Sequence, residues 1–264
     1  MKSIGVIGNG YVGGAVAAFF QGQGLETKIF DSNPKKSFCS FETVANSPLV
    51  FVCTPTPTDI SGQNRTSVVT TLKALQGYSC KVVLKSTVLP GTSRFLATSY
   101  DRQDLVFSPE FLKARSAHWD FAHPASIVLG TETRTCPGIE NFFRLFWPDV
   151  PILHTSWEEA EMIKYSRNTF YATKVAWWNE LYLLCQKLGV DFEAIKKGVL
   201  MGGVIHPSHC DVPRPDGGFG FGGTCLPKDS EALVHFADGR GVNLSVLKQA
   251  LKSNHQIRGT FIEV

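Results

Sequence analysis

Ser3-Ile4-Gly5-Val6-Ile7 is a short apolar run of strand type. It passes at once into Gly8-Asn9-Gly10-Tyr11-Val12-Gly13 and then a helical run through Ala15-Val16-Ala17-Ala18-Phe19-Phe20. Strand, glycine turn and helix in that order commit the start of the chain to a βαβ unit. The three glycines allow the tight turn, let a pyrophosphate approach backbone N–H groups, and bring the helix close against the strand. A second strand, Thr27-Lys28-Ile29-Phe30, ends in Asp31, at the distance where a carboxylate meets adenosine ribose hydroxyls. An acid there would repel a 2′-phosphate, so the pattern predicts NAD rather than NADP. The alternative is a tight βα turn that holds no ligand.

Strand-like and helical segments go on alternating to about residue 153. Leu49–Cys53, Cys80–Leu84, Asp104–Phe107 and Ala125–Leu129 are β-rich apolar runs bounded by polar or turn residues. That alternation predicts an α/β fold, a Rossmann-type doubly wound parallel sheet over residues 1–155. Ligands of such sheets bind outside the carboxyl ends of the strands. Those ends carry Thr54-Pro55-Thr56-Pro57, Ser86-Thr87-Val88-Leu89-Pro90-Gly91-Thr92 and Ser108-Pro109-Glu110-Phe111-Leu112. Hydroxyls and prolines there are equally ordinary turn chemistry.

From Trp157 the texture changes. Glu158 to Leu188 lacks Gly and Pro, has apolar residues at helical spacing and stops at Gly189, which predicts one helix of roughly 45 Å. A helix so apolar needs cover on more than one side, from its own chain or from a second copy across a dimer axis. Lys164 and Asn168 share one face near its start; by spacing alone they could be a solvated stripe. Further helices are expected around residues 192–199, 228–240 and 244–257, giving a mostly α-helical domain over residues 156–264.

Between these helices runs a long loop ending in Gly217-Gly218-Phe219-Gly220-Phe221-Gly222-Gly223, then Thr224-Cys225-Leu226-Pro227-Lys228-Asp229. The glycines suggest a loop that little else crowds and that a ligand can approach. Pro227 suits the first turn of a helix. Cys225 would then lie just before a helix N-terminus, where the dipole and a nearby lysine favour the thiolate. The other reading is a small buried residue beside a flexible loop.

Composition narrows the function classes. In 264 residues, 43% are hydrophobic, 19% charged and the net charge is +3, values of a globular chain with no electrostatic case for nucleic acid. Seven scattered cysteines without a C-x-x-C pair make neither a disulfide framework nor a zinc site, so no metal is expected. No apolar run reaches the ~18 residues of a membrane span, and a cytoplasmic location is expected.

Gly8-x-Gly10-Tyr11-Val12-Gly13, Lys85-Ser86-Thr87-Val88-x-Pro90-Gly91-Thr92, Pro109-Glu110-Phe111-Leu112, Lys164-Tyr165-x-x-Asn168 and Phe221-Gly222-Gly223-Thr224-Cys225-Leu226-Pro227-Lys228-Asp229 occur in that order. The chain thereby resembles the UDP-glucose and GDP-mannose dehydrogenases over essentially its whole length. The resemblance implies NAD-dependent oxidation of a nucleotide sugar from primary alcohol through aldehyde to carboxylate, with two NAD consumed; a homodimer is expected from the length and apolar residues of the helix over 158–188. It assigns the nucleophile to Cys225, oxyanion stabilisation to Lys164 and Asn168, water positioning to Asp229 with Thr87, and thioester hydrolysis to Glu110. It places Gly8, Gly10, Tyr11, Val12, Gly13, Asp31, Lys36, Thr54, Thr87 and Lys228 around the cofactor. Glu110, Phe111, Leu112, Lys164, Asn168, Phe219, Gly220 and Gly222 fall on the substrate side.

The departures from the family are specific. Members commonly continue past the central helices into a second Rossmann-like domain, whereas this chain ends at Val264; either a naturally short member or a cut chain is expected, with altered recognition of the nucleotide half. A second glutamate common four residues after the Glu110 position is replaced by Ala114, and an arginine common before Ile-Gly by Val204-Ile205-His206. Arg214 later in the loop could replace that charge. UDP-glucose is the expected substrate, with GDP-mannose and UDP-N-acetylhexosamines as alternatives. A catalytically idle NAD-binding partner subunit, or a hydroxyacid dehydrogenase that needs no cysteine nucleophile, are the readings from other classes.

Overall fold

The computed structural model describes residues 1–59 and 62–262; the end at Val264 lies outside them. The chain divides into two compact units, residues 1–57 with 63–164 and residues 58–62 with 165–264.

The first unit is built by alternation. Strand β1 (Ser3–Ile7), helix α1 (Tyr11–Gly22) and strand β2 (Glu26–Phe30) make the opening βαβ unit, followed by α2 (Phe41–Ala45) and β3 (Leu49–Val52). A short ribbon, β4 (Thr58–Asp59) and β5 (Gly62–Gln63), whose residues 58–62 belong to the second unit, comes before α3 (Thr66–Ala74), β6 (Lys81–Leu84), α4 (Thr92–Ser99) and β7 (Val106–Phe107). Then come α5 (Ala117–Ala122), β8 (Ile127–Gly130), α6 (Pro137–Arg144) and β9 (Ile152–Thr155). Seven of these strands form one sheet in the order β2-β1-β3-β6-β7-β8-β9. All its pairs are parallel except β7 with β8, where Phe107 lies antiparallel to Gly130. Strands β1, β3, β6 and β7 therefore end at one edge of the sheet, and β8 and β9 run the other way.

Both faces of the sheet are covered, which is why its strands read as unbroken apolar runs. Side chains alternate between the faces. Val50, Val52, Val82 and Leu84 pack with Val44, Val68, Leu72 and Leu96 from α2, α3 and α4. Leu49, Phe51 and Val83 pack on the other face with Val16 and Phe20 of α1, Phe121 of α5 and Phe142 and Phe143 of α6. Much of the second cluster is aromatic, with Phe20 against Phe51 at 5.5 Å and Phe19 stacked on Trp147 at 4.6 Å between ring centroids.

Helix α7 (Trp157–Leu188) has 32 residues, about 48 Å at the usual rise, and ends at Gly189 with φ +67°. Its N-terminal residues Trp157 and Ala160 belong to the core of the first unit. In the second unit, Ala172, Val175 and Ala176 of α7 pack with Phe221, Ala250 and Leu251. Further along, Trp178 and Cys185 pack with Phe192, Cys210 and Val212. Helices α8 (Phe192–Leu200), α9 (Leu226–Asp238) and α10 (Ser245–Ile262) complete this unit. Among the described residues no helix is long and apolar enough to cross a membrane.

Candidate active site

The glycine turn sits at the carboxyl end of β1. Gly8 has φ +94°, and a Cβ there would lie 2.6 Å from the Cys53 carbonyl oxygen; a Cβ on Gly13 would lie 1.8 Å from the Gly8 carbonyl oxygen. These two glycines are required by the turn and by helix packing. Gly10 is different, since a Cβ there would meet nothing within 4 Å. It is the N-cap of α1, whose first turn carries no acidic residue and no side-chain cap, so its amides are left for an anion. This donor set fits the pyrophosphate of NAD.

Asp31 does more than face that turn. Its Oδ2 accepts from the Asn9 amide at 2.6 Å and its Oδ1 from the Asn33 amide at 2.8 Å, tying the turn to the end of β2. Asn9 Nδ2 in turn donates to the Lys36 carbonyl at 2.9 Å, leaving the Lys36 side chain exposed. Tyr11 is exposed, Val12 packs against the sheet core, and Thr54 Oγ1 lies 3.4 Å from Ser86 Oγ. The half-buried Thr87 is held through its carbonyl, which accepts from Thr56 Oγ1 at 2.7 Å and Gln63 Nε2 at 3.0 Å.

The loop after β7 delivers Glu110 to helix α7. Lys164 Nζ donates to Glu110 Oε1 at 2.8 Å and to its carbonyl at 2.6 Å, and the Leu112 amide donates to Glu110 Oε2 at 2.6 Å. Glu110 is 8% and Lys164 3% exposed. Burial alone would raise the carboxyl, but the Lys164 ammonium and the Leu112 amide outweigh it and hold Glu110 below the usual range. The Phe111 ring lies 5.7 Å from Lys164 Nζ.

Three neighbours in this unit escaped the sequence reading as site residues. Lys85, at the end of β6, is buried and donates to Ser108 Oγ at 3.3 Å and the Pro109 carbonyl at 3.4 Å. Burial lowers its ammonium to about 8, against the opposing pull of Cys53 and Glu110. Burial pushes the Cys53 thiol up to about 12. Glu161, one turn before Lys164, accepts from the amides of Gly91 and Ser93, each at 2.7 Å, at the start of α4. Burial raises its carboxyl to about 7 despite those two donors. A lysine closing an apolar strand was the one signal in the sequence; Glu161 carried none.

In the second unit, Asn168 Nδ2 donates to Asp229 Oδ2 at 2.6 Å, and Lys228 Nζ to Asp229 Oδ1 at 2.5 Å. Asn168 is 8% and Asp229 1% exposed, so neither belongs to a solvated stripe. Asp229 sits in the first turn of α9, whose N-cap is Cys225 and which has Pro227 in its opening turn. Cys225 is the one exposed cysteine among the described residues, with Thr224 Oγ1 at 3.7 Å from its sulfur. The lysine expected to favour the thiolate is engaged by Asp229 instead.

The glycine loop before Cys225 differs from the open loop expected. Gly220 has φ +65° and Asn254 Oδ1 only 2.4 Å from where its Cβ would be. Asn179 Oδ1 accepts from the Gly220 amide at 2.9 Å; Asn254 accepts from the Phe221 amide at 2.6 Å and donates to its carbonyl at 3.0 Å. The guanidinium of Arg214 covers Gly218, and those of Arg214 and Arg258 cover Gly222. Phe219 packs against Tyr182 at 5.7 Å. Gly217 and Gly223, by contrast, face open space.

Known proteins share this framework. The profile of the UDP-glucose/GDP-mannose dehydrogenase family's NAD binding domain matches residues 37–146, and that of the same family's central domain residues 158–256. UDP-glucose 6-dehydrogenase YwqF of Bacillus subtilis is 32% identical over 257 residues, 91% of this chain and 57% of the relative. The UDP-glucose 6-dehydrogenase of Rickettsia conorii is 35% identical over 181 residues, 67% of this chain and 41% of the relative. A solved UDP-glucose dehydrogenase from Pyrobaculum islandicum superposes with a TM-score of 0.84 at 28% identity, covering 97% of this chain and 68% of that one. The chain thus spans about half the length of the curated relatives it matches.

Proposed function

The chain belongs to the UDP-glucose/GDP-mannose dehydrogenase family and carries its NAD binding domain, and from that premise we propose that it oxidises a nucleotide sugar in two steps through Cys225. UDP-glucose, giving UDP-glucuronate, is the substrate proposed first. The observation that carries the reading is the exposed Cys225 at the N-cap of α9, with the buried Asp229 one turn on and held by Asn168.

The turn from Gly8 to Gly13 and Asp31 would hold NAD, which when bound supplies the hydride acceptor for both oxidations. The C6 hydroxyl loses its proton towards a water held by Asp229, with Thr87 assisting, as its carbon loses hydride and becomes an aldehyde. The Cys225 thiolate then adds to that carbon, and the oxygen takes up a proton. Loss of the second hydride and of that proton leaves a thioester. Water attacks the thioester, the C–S bond breaks, and the products are the carboxylate and the regenerated thiol. Lys164 and Asn168 stabilise negative charge on the substrate oxygen, and Glu110 serves the hydrolysis as a base.

The shared chemistry does not distinguish the sugar, so GDP-mannose and UDP-N-acetylhexosamines belong in the same assay. Measuring NAD reduction across a panel of nucleotide sugars, with the product's mass, tests the reading. Two NADH and one carboxylate per sugar are expected; binding of NAD without turnover of any sugar would mark an idle cofactor-binding subunit.

A cytoplasmic homodimer completes the proposal. Phe170, Trp177 and Leu184 recur every seven residues along α7 and are 65%, 51% and 53% exposed, an apolar stripe suited to a second copy of the helix. Light scattering should give twice the mass of one chain. A monomer at working concentration would remove this part.

A further inference from the structure

Helix α4 begins without a cap of its own. Its N-cap is Gly91, in the left-handed region at φ +91° and with no side chain to offer. The next residue, Thr92, has its hydroxyl engaged by Arg65 Nη1 at 3.3 Å. A serine or aspartate at the N-cap would satisfy the first amides at little cost. The acceptor comes instead from α7: Glu161 Oε2 accepts from the Gly91 amide and Oε1 from the Ser93 amide, 70 and 68 residues away in the chain. Glu161 and Ser93 are both fully buried. Withdrawing a carboxylate from water is costly, and Arg94 of α4 does not offset it, being taken by Glu132 and Glu158. What a distant carboxylate adds over a local cap is a link between two elements.

The linked segment leads from β6 into α4, and its backbone is fixed at three places. The Thr87 carbonyl accepts from Thr56 Oγ1 and Gln63 Nε2, the Leu89 amide donates to Gln63 Oε1 at 3.2 Å, and the amides of Gly91 and Ser93 end on Glu161. None of these bonds uses the Thr87 hydroxyl, the group to which the proposed reaction gives a part in the first proton transfer. Glu161 precedes Lys164 by three residues, so the two lie on one face of α7. The carboxylate therefore sets the Thr87 segment against the turn of helix that carries Lys164.

We infer that Glu161 is a positioning residue of the reaction and acts through Thr87, its two carboxylate oxygens tethering the segment from Thr87 to Ser93 to α7. The part in catalysis rests on the function proposed above; the tether does not.

Glu161→Gln is the discriminating change, because a carboxamide keeps the carboxylate's shape but has one accepting oxygen and turns its NH2 towards an amide that needs an acceptor. In this variant kcat should fall about tenfold, the loss of one charge-assisted contact, with KM for the sugar unchanged. In a Thr87→Val background the same substitution should slow turnover no further. Additive slowing in the double variant, or a wild-type kcat in Glu161→Gln, overturns the proposal. Hydrogen exchange of the ligand-free protein, read by mass spectrometry, follows the tether without turnover: residues 87–93 should exchange about tenfold faster in Glu161→Gln, and α6 at the wild-type rate. Unchanged exchange over 87–93 overturns the tether, and so does equal acceleration in α6, which marks general destabilisation. If Glu161→Gln does not fold, Glu161→Asp, which keeps the charge but is one methylene too short to reach both amides, carries the same measurements. Faster exchange confined to 87–93 in a protein that oxidises no nucleotide sugar would refute the function and leave the tether standing.

Discussion

Glu110 in the first unit and Asp229 in the second are both carboxylates withdrawn from water, yet their partners differ in kind. Glu110 is bound by an ammonium that is itself buried, so two charges are desolvated together and each depends on the other. Asp229 is bound by the Asn168 amide and by Lys228, whose side chain is 23% exposed. Lys228 can leave for water at little cost, and the first turn of α9 still favours the carboxylate's charge. The first arrangement is a rigid cross-link between a strand-end loop and a long helix. In the second, one of the carboxylate's two partners reaches the solvent. Damage in the first unit should therefore cost stability and chemistry together, and damage in the second chemistry alone.

The largest expected effect falls in the second unit. Cys225→Ser should lower carboxylate formation by more than about a thousandfold, with any turnover stalling at a hemiacetal or ester, while stability changes by less than about 0.5 kcal/mol because the position is exposed. A variant making carboxylate at the wild-type rate would show that Cys225 is structural. In the first unit, Lys164→Ala should cost about 3–5 kcal/mol by leaving Glu110 buried and unpaired, and slow both oxidations by ~10²–10³. Lys228→Ala should cost at most about 1 kcal/mol. Urea unfolding of the two side by side is the check, and equal midpoints would erase the contrast.

Glu161 sharpens the comparison, as a buried carboxylate of the first unit with amide donors but no cation. Its folded pKa of about 7 lies above the unfolded value near 4.5, so the folded state holds the proton more tightly. Its contribution to stability is fully present below about pH 4.5 and is lost as pH rises through 7, a swing of about 3 kcal/mol. Glu161→Gln should flatten that part of the stability profile between pH 5 and 8; an unchanged profile would mean that the two amides keep the group ionised throughout. A smaller effect than these is expected at Asp31 on cofactor affinity, where alanine should weaken NAD about tenfold, one charge-assisted contact, and narrow the preference over NADP. Calorimetry that finds the wild type indifferent between the two cofactors would overturn Asp31's role.

Residues 3–31 were readable because a glycine turn obeys local sterics: Gly8 has φ +94° and Gly13 has no room for a Cβ. Helix α7 was readable to within one residue of its start, since periodicity over 32 residues leaves few alternatives. The reversal of β8 was not, because the two residues of β7 carry no record of direction. The glycine loop misled for a related reason. Glycine marks either open space or close approach, and Gly217 and Gly223 turned out to be the first, Gly218, Gly220 and Gly222 the second.

By itself the sequence determined the elements and the chemical inventory: the βαβ opening, the alternation that covers a sheet on both faces, the long helix, and a thiol at the start of another. These follow from backbone sterics and from apolar periods of two and 3.6 residues, which act over a few positions. Only the tertiary structure decided the pairings. Lys164 meets Glu110 across 54 residues of sequence, Asn168 meets Asp229 across 61, and Glu161 meets Gly91 across 70, while Arg214 and Arg258 converge on Gly222 from a loop and a helix. Charge state and hydrogen bonding depend on what distant segments bring within reach and on how much water they exclude, and neither is written in the spacing of residues along the chain.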